Sequence, residues 1–284
     1  EWLQRTGIAG TVIVKENGGV SSARNQGIEH ASGDWVGFPD PDDTLQGDFF
    51  ARVAEFLRSP AGSLADVVAT HMVYHYEDER GVRDTHPLRF KFTGAPRNLS
   101  LKRTPFALQL SMATAFVPLR TLQRENLRFD EGLKVSEDAI LLARIFALRD
   151  DPQLGVVPGA VYHYRKRSSQ DSALDTAARN PESSLSRLRD GYLPLLADLR
   201  ESGGLAEWAA HLVMYELGWI YRQETVLRAL SLHMNETQKA EILSLTGNVL
   251  AYLEKTWIQG ALRPTVSPVV HRLWDALRSS AMGA

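Results

Sequence analysis

The sequence predicts an α/β layered domain over residues 1–170, followed by an all-α C-terminal domain over residues 171–284. Two textures predict it. Up to about Arg167, short β-branched runs alternate with helical stretches, as in strands and helices laid in layers. Beyond Asp171 the strand-like runs stop and leucines recur at helical spacing. Ser168–Ser183, rich in Ser, Asp and Ala, is the natural boundary between the two.

In chain order, Thr11–Val14 and Trp35–Phe38 read as brief buried strands, Asp66–Tyr76 as a longer one and Val156–Tyr164 as another. Ser21–Ser32 reads as a helix, with Ser21 or Ser22 as N-cap and Gly33 at its stop. Leu45–Leu57 and Glu137–Leu148 are further helices, the second capped by Ser136. In the C-terminal half Leu185, Leu188, Tyr192, Leu195, Leu196 and Leu199 form one stripe, which Pro194 should kink. Leu205–Arg222 and Glu236–Trp257 follow, the latter opening at Asn235 with Gln238 three residues on, and Val269–Leu277 adds one more. Trp208, Leu212, Tyr215 and Trp219 recur as a core stripe, a surface suited to packing or self-association.

Composition narrows the function. Of 284 residues, 44% are hydrophobic and 23% charged, the profile of an ordinary globular chain. A formal net charge of −2 gives no basic footprint for nucleic acid. There are no cysteines, which excludes a disulfide scaffold and thiolate chemistry and fits a reducing compartment. No apolar run approaches the ~20 residues of a membrane-spanning helix. There is no G-x-S-x-G elbow, no Walker A loop and no G-x-G-x-x-G.

The chemistry-bearing feature is Pro39-Asp40-Pro41-Asp42-Asp43, directly after the Trp35–Phe38 strand. Carboxylates this close raise one another's pKa unless a cation neutralises them, and an all-oxygen cluster suits Mg²⁺ or Mn²⁺. A solvated turn is the plain alternative, since Asp and Pro favour turns. An EF-hand does not fit: counting from Asp40, the sixth position is Leu45 instead of Gly and the twelfth is Ala51 instead of Glu.

The preceding residues decide between these. Asn17-Gly18-Gly19-Val20-Ser21-Ser22-Ala23-Arg24-Asn25-Gln26-Gly27-Ile28, then Ala31-Ser32-Gly33-Asp34-Trp35, runs into Phe38-Pro39-Asp40-Pro41-Asp42-Asp43. This resembles the family 2 glycosyltransferases, which carry N-x-G-[VL]-S-x-A-R-N-x-G-I, then A-x-G-x-[YW], then F-x-D-x-D-D. The resemblance implies a GT-A fold, with a Rossmann-like, mostly parallel sheet, and a donor site that Asn17 and Arg24 help to build. It also implies that Asp40 and Asp42 contact the nucleotide ribose and a Mn²⁺ or Mg²⁺ ion, with Asp43 in support. In the family a first β–α–β segment supplies the base-binding contacts, so the resemblance implies such a segment upstream of Glu1. Ala23, Gly27 and Ala31, spaced four apart, predict a small-residue stripe letting this helix lie close to the sheet.

Phe129-Asp130-Glu131-Gly132 and then Ser136-Glu137-Asp138, opening an apolar helix, resemble the family's second landmark, F-x-E-x-L followed by E-D. Acids in a first helical turn are favoured by the macrodipole in any case. The resemblance implies more: Asp138 as general base of an inverting transfer, and Glu137 positioning acceptor or base. Tyr162-His163-Tyr164-Arg165-Lys166-Arg167-Ser168-Ser169 resembles a Y-x-Y-R-x-R-x-x-S element of related transferases. Arg165 and Arg167 are phosphate candidates, and His163 is a metal or phosphate candidate or a strand histidine with a backbone partner.

The helical segments look like those of bacterial enzymes that build teichoic-acid-like and capsular polymers. That resemblance implies a polymer or lipid-linked glycan acceptor, while the family resemblance implies transfer of a hexosyl or N-acetylhexosaminyl group from a nucleotide sugar, with UDP as the family's commonest carrier. It implies work at the cytoplasmic face of the plasma membrane, docked rather than spanning, with self-association through the C-terminal helices. A non-catalytic acceptor-binding or assembly module derived from a transferase is the competing reading, against which the intact acids argue.

Overall fold

A computed structural model describes residues 9–167, 180–221, 233–261 and 267–283. Seven strands among them form one mixed sheet: β1 (Trp35–Gly37), β2 (Thr44–Leu45), β3 (Val67–Tyr76), β4 (Val82–Arg83), β5 (Arg97–Ser100), β6 (Ala115–Pro118) and β7 (Gln153–Lys166). The order is β1-β6-β3-β7-β2, with β4 paired to β3 and β5 to β7. β3 and β7 run parallel from Val67↔Leu154 to Tyr76↔Lys166, while β6 lies antiparallel to both β1 and β3. The short β1 and the long β3 and β7 therefore point the same way, and the acidic turn leaves the carboxyl end of β1.

The centre of β3 shows why the apolar run becomes an inner strand: Val67, Val68, Ala69 and Thr70 are all buried, so both faces are covered. Val67 and Ala69 join the core shared with α4 (Glu137–Phe146), whereas Val68 packs with α2 (Phe49–Arg58). At Gly155 of β7 a Cβ would lie 2.6 Å from the Phe56 ring, so α2 reaches the sheet only over a glycine.

Several boundaries differ from the sequence reading. Thr11–Val14 is not a strand: Val12 and Val14 are 76% and 91% exposed and no described strand pairs with them. β-propensity without a ladder partner leaves the backbone to water. Helix α1 begins at Gly19, with Gly18 at the cap, and ends at His30 with Ala31, not Gly33, closing it. The serines cap nothing; Asn17 accepts from the Gly19 N–H at 3.1 Å. The small-residue stripe is not the packed face either, since Ala23 is exposed and a Cβ at Gly27 would touch nothing. The inward residues are Ser21, Arg24, Asn25 and Ile28, the i, i+3, i+4, i+7 face. Helix α2 starts at Phe49 because Thr44–Leu45 are drawn into pairing with His163 and Tyr162 of β7.

After α3 (Leu119–Arg124) and α4, the helical part comprises α5 (Pro181–Ser186), a π-helical turn (Arg187–Tyr192), α6 (Leu193–Glu201), α7 (Glu207–Tyr221), α8 (Glu236–Ala251), α9 (Lys255–Gly260) and α10 (Pro268–Gly283). Pro194 lacks an N–H for the ladder, and a wider π turn sits just before it, at the start of α6. Asn235 and Gln238 form the reciprocal capping box, with bonds of 2.9 and 3.1 Å. The expected boundary at Ser168–Ser183 falls mostly outside the described residues. One apolar core runs from the sheet through Ile140 and Leu141 of α4 to Leu188, Tyr192 and Trp208. At Gly191 a Cβ would meet Ile140 at 2.8 Å, so the π turn rests directly on α4. No described helix is long and apolar enough to cross a membrane.

Candidate active site

Arg24 is the hub. From the inward face of α1 its guanidinium donates to Asp138 Oδ1 at 2.5 Å, to Asp40 Oδ1 at 3.0 Å and, more weakly, to Glu137 Oε1 at 3.3 Å. Its plane lies over the Phe129 ring, 5.2 Å from the centroid, and Phe129 in turn meets Phe38 edge-on. The arginine side chain is only 11% exposed, so a fork of donors faces three acids with little water between. Burial pulls its pKa down, but the three carboxylates outweigh it and the guanidinium stays charged.

The turn at Phe129 is held by Asn25, to which the motif gave no role. Its side chain accepts from the Phe129 N–H at 2.8 Å and donates to the Phe129 carbonyl at 2.9 Å and to Glu131 at 3.1 Å. Arg24 and Asn25 share the inward face, and that helical position was the one sequence signal available for Asn25. At roughly 1 kcal/mol per hydrogen bond, the two backbone contacts are a modest but directional clamp.

Asp138 and Glu137 open α4 as expected. A helix N-terminus favours the ionised form, yet both pKa values are raised. Burial is the largest cause for each; the neighbouring Asp138 charge adds to it for Glu137, which is pushed up to about 7. Asp138 is partly held down by Arg24 and by the Met112 N–H, which donates to Oδ2 at 2.8 Å. One carboxylate oxygen thus faces a cation and the other a backbone donor. Ser136 stands at the cap position, but its hydroxyl does not cap: it turns instead to Glu216.

The acidic turn is fixed from behind by Tyr162. The Asp40 N–H donates to its hydroxyl oxygen at 3.0 Å, and that hydroxyl donates to Asp43 Oδ2 at 2.7 Å. Asp43 Oδ1 accepts from the Arg165 N–H at 2.7 Å. Asp43 is therefore occupied on both oxygens, and burial raises its pKa. Asp42 is 40% exposed and bonds Arg167 at 2.5 Å. The Arg165 guanidinium faces away, to Glu77 at 2.6 Å. His163 stands on the other side of β7 from Tyr162, its ring 6.2 Å from that of His75, and does not join the acids. Asn17 is exposed at the start of α1.

The structure thus brings Arg24, Asp40, Glu137 and Asp138 into one cluster and places Asp42, Asp43 and Arg167 on the adjoining turn. Among the described residues no three acids or histidines converge as a ready-made metal cage. The donor set suits a hard divalent ion held in another way, by one or two carboxylates while phosphate oxygens and water complete the shell.

Residues 6–118 match the model of the Glycosyl transferase family 2. The minor teichoic acid biosynthesis protein GgaB of Bacillus subtilis is 30% identical over 244 residues, which span 84% of this chain and 25% of GgaB. GgaA of the same organism is 30% identical over 185 residues, covering 64% of this chain and 40% of its own length. The chain therefore spans less than half of either relative. The crystal structure of S. aureus TarS 1-349 in complex with UDP-GlcNAc superposes with a TM-score of 0.64 at 17% identity, over 95% of this chain and 71% of that one. At that identity the likeness establishes a shared GT-A fold, with its helical continuation. Residues 6–118 therefore form a family 2 glycosyltransferase segment, and the chain that carries it resembles proteins of minor teichoic acid biosynthesis.

Proposed function

We propose that this protein transfers a hexosyl or N-acetylhexosaminyl group, with inversion, from a UDP-sugar to a hydroxyl of a teichoic-acid-like or other cell-surface polymer. The observation that carries the proposal is the Arg24 hub, which holds a buried, backbone-bonded carboxylate beside the acidic turn. UDP-GlcNAc in the similar TarS structure and the names of GgaB and GgaA support the donor and acceptor classes.

In this reading Asp138 takes the proton from the acceptor hydroxyl. The hydroxyl oxygen bonds the anomeric carbon from the face opposite the diphosphate, and the anomeric C–O bond breaks with its electron pair leaving on UDP. Glu137 sets the charge around the base. The donor diphosphate competes with the carboxylates for Arg24, and its arrival frees Asp138 to act. Arg167 lies on the same side as Asp42 to meet phosphate oxygens, while Arg165 braces the turn through its backbone N–H. Asn17 lies further out, at the start of α1, as a donor-side contact. Asp42, with Asp40 beside it, would hold Mn²⁺ or Mg²⁺. Such an ion neutralises charge on the departing diphosphate. His163 is left out of the metal shell.

Transfer is tested by incubating the protein with UDP-sugars and polyol-phosphate polymers and determining the anomeric configuration of the product. Retention of configuration would overturn the single-base assignment. For the ion, wild type should bind Mn²⁺ or Mg²⁺ in calorimetry when UDP is present, and Asp42→Asn should weaken that binding and remove metal-stimulated turnover. A wild type that binds no divalent ion alongside UDP would remove the metal from the mechanism.

A further inference from the structure

The residue immediately before the Glu137–Asp138 pair has an unusual backbone. Ser136 lies in the left-handed region, at φ 64° and ψ 8°. Few residues other than glycine sit there, and the conformation persists only when surroundings hold it. Within the chain's own turn it is held only through its carbonyl, which accepts from the Ile140 N–H at 3.0 Å, since the hydroxyl makes no cap bond to α4. The Ser136 hydroxyl instead donates to Glu216 Oε2 at 2.9 Å, across 80 residues of sequence.

Glu216 is an odd resident of its helix. Twelve of the 15 residues of α7 are buried, most of them apolar, and the Glu216 side chain is 14% exposed. A carboxylate in such a place is costly unless paired. Its Oε2 is also 3.4 Å from Arg187 of the π turn, itself 14% exposed, and that turn rests on α4 through Gly191. Arg187, Glu216 and Ser136 therefore form a chain of polar contacts from the helical region to the first residue before the catalytic helix. A small rotation at Ser136 would swing both Glu137 and Asp138 away from Arg24 and from the Met112 N–H.

We infer that Glu216 is a positioning residue for the transfer: by holding the Ser136 hydroxyl it locks the left-handed turn that aims Asp138. This rests on the assignment of Asp138 as base. The helical region then contributes to the chemistry through one carboxylate, besides any part it has in acceptor binding or self-association.

The test uses the full chain, with kcat and donor KM measured separately and folding checked by thermal melting. Glu216→Ala should lower kcat on the order of ten- to hundredfold, the scale of a misplaced catalytic group, with donor KM little changed. Glu216→Gln keeps an acceptor for Ser136 and should recover most of kcat. Ser136→Ala should lower kcat in the same way without stripping Arg187 of its partner, and the double variant should be no slower than Glu216→Ala alone, because the bond between the two is already gone there. Additive losses, or a Glu216→Gln as slow as Glu216→Ala with a normal melting curve, would overturn the inference. If Glu216→Ala is unfolded, Ser136→Ala decides alone: full kcat refutes the positioning role. Asp138→Asn in parallel separates the two ideas, since an active Asp138→Asn refutes the base assignment whatever Glu216 does.

Discussion

Asp138→Asn is expected to lower kcat by ~10²–10⁴, the usual range for loss of a general base, while leaving donor binding intact. The amide still fits between Arg24 and the Met112 N–H, with its oxygen able to accept one of the two bonds, so the site should keep its shape. The pH profile gives a second reading of the same group. Burial raises both Glu137 and Asp138; the Asp138 charge adds to it for Glu137, which is pushed up to about 7, and the Asp40 charge adds to it for Asp138. An acid with a raised pKa becomes available as base only above that value. Activity should therefore still be climbing above the ordinary carboxylate range instead of levelling off within it. Glu137→Gln removes one negative charge from the pair, and the acid limb should shift downward. Unchanged turnover in Asp138→Asn, measured with the chain's own acceptor, would take the residue out of the mechanism.

How much of this was legible in the sequence differs by element. The acidic turn, α1 and the start of α4 were readable because each rests on local signals: a strand followed by Asp and Pro, a spaced motif, acids in a first helical turn. β2 was not, because two residues carry no periodicity; Thr44–Leu45 become a strand only through β7. Thr11–Val14 failed for the converse reason, with propensity present and a ladder partner lacking among the described strands. The hub itself was invisible. The resemblance puts Arg24 in the donor site, but its partners within the chain lie 16, 113 and 114 residues away and are brought together by the sheet order. Tyr162 behind the acidic turn was hidden in the same way, since a buried tyrosine in a strand signals core and not a polar brace. The stripe of small residues in α1 misled because close packing was assumed to define the inner face. Here a polar pair, Arg24 and Asn25, defines it.

The second large effect follows from charge balance at that hub. Arg24→Leu should destabilise the protein by about 3–5 kcal/mol near pH 8, the scale for stripping one partner from a buried ion pair. Three carboxylates would then face one another without a cation, and Glu137 and Asp138, already raised by burial, would lose the charge that holds them down. The sign with pH follows from linkage. A carboxylate whose folded pKa lies above its unfolded value costs stability once pH passes the unfolded value, and the full cost is present above the folded one. The gap between wild type and variant should accordingly be widest at alkaline pH and shrink on acidification, as Glu137 and Asp138 take up protons. Arg24→Lys keeps a charge but not the fork, so it should recover part of the stability and little of the turnover. Melting curves for the three proteins across pH 5–8.5 read this directly. A gap that stays constant with pH would mean that Arg24 holds the site through its packing on Phe129 and not through the acids. A gap that widens on acidification would reverse the charge argument altogether.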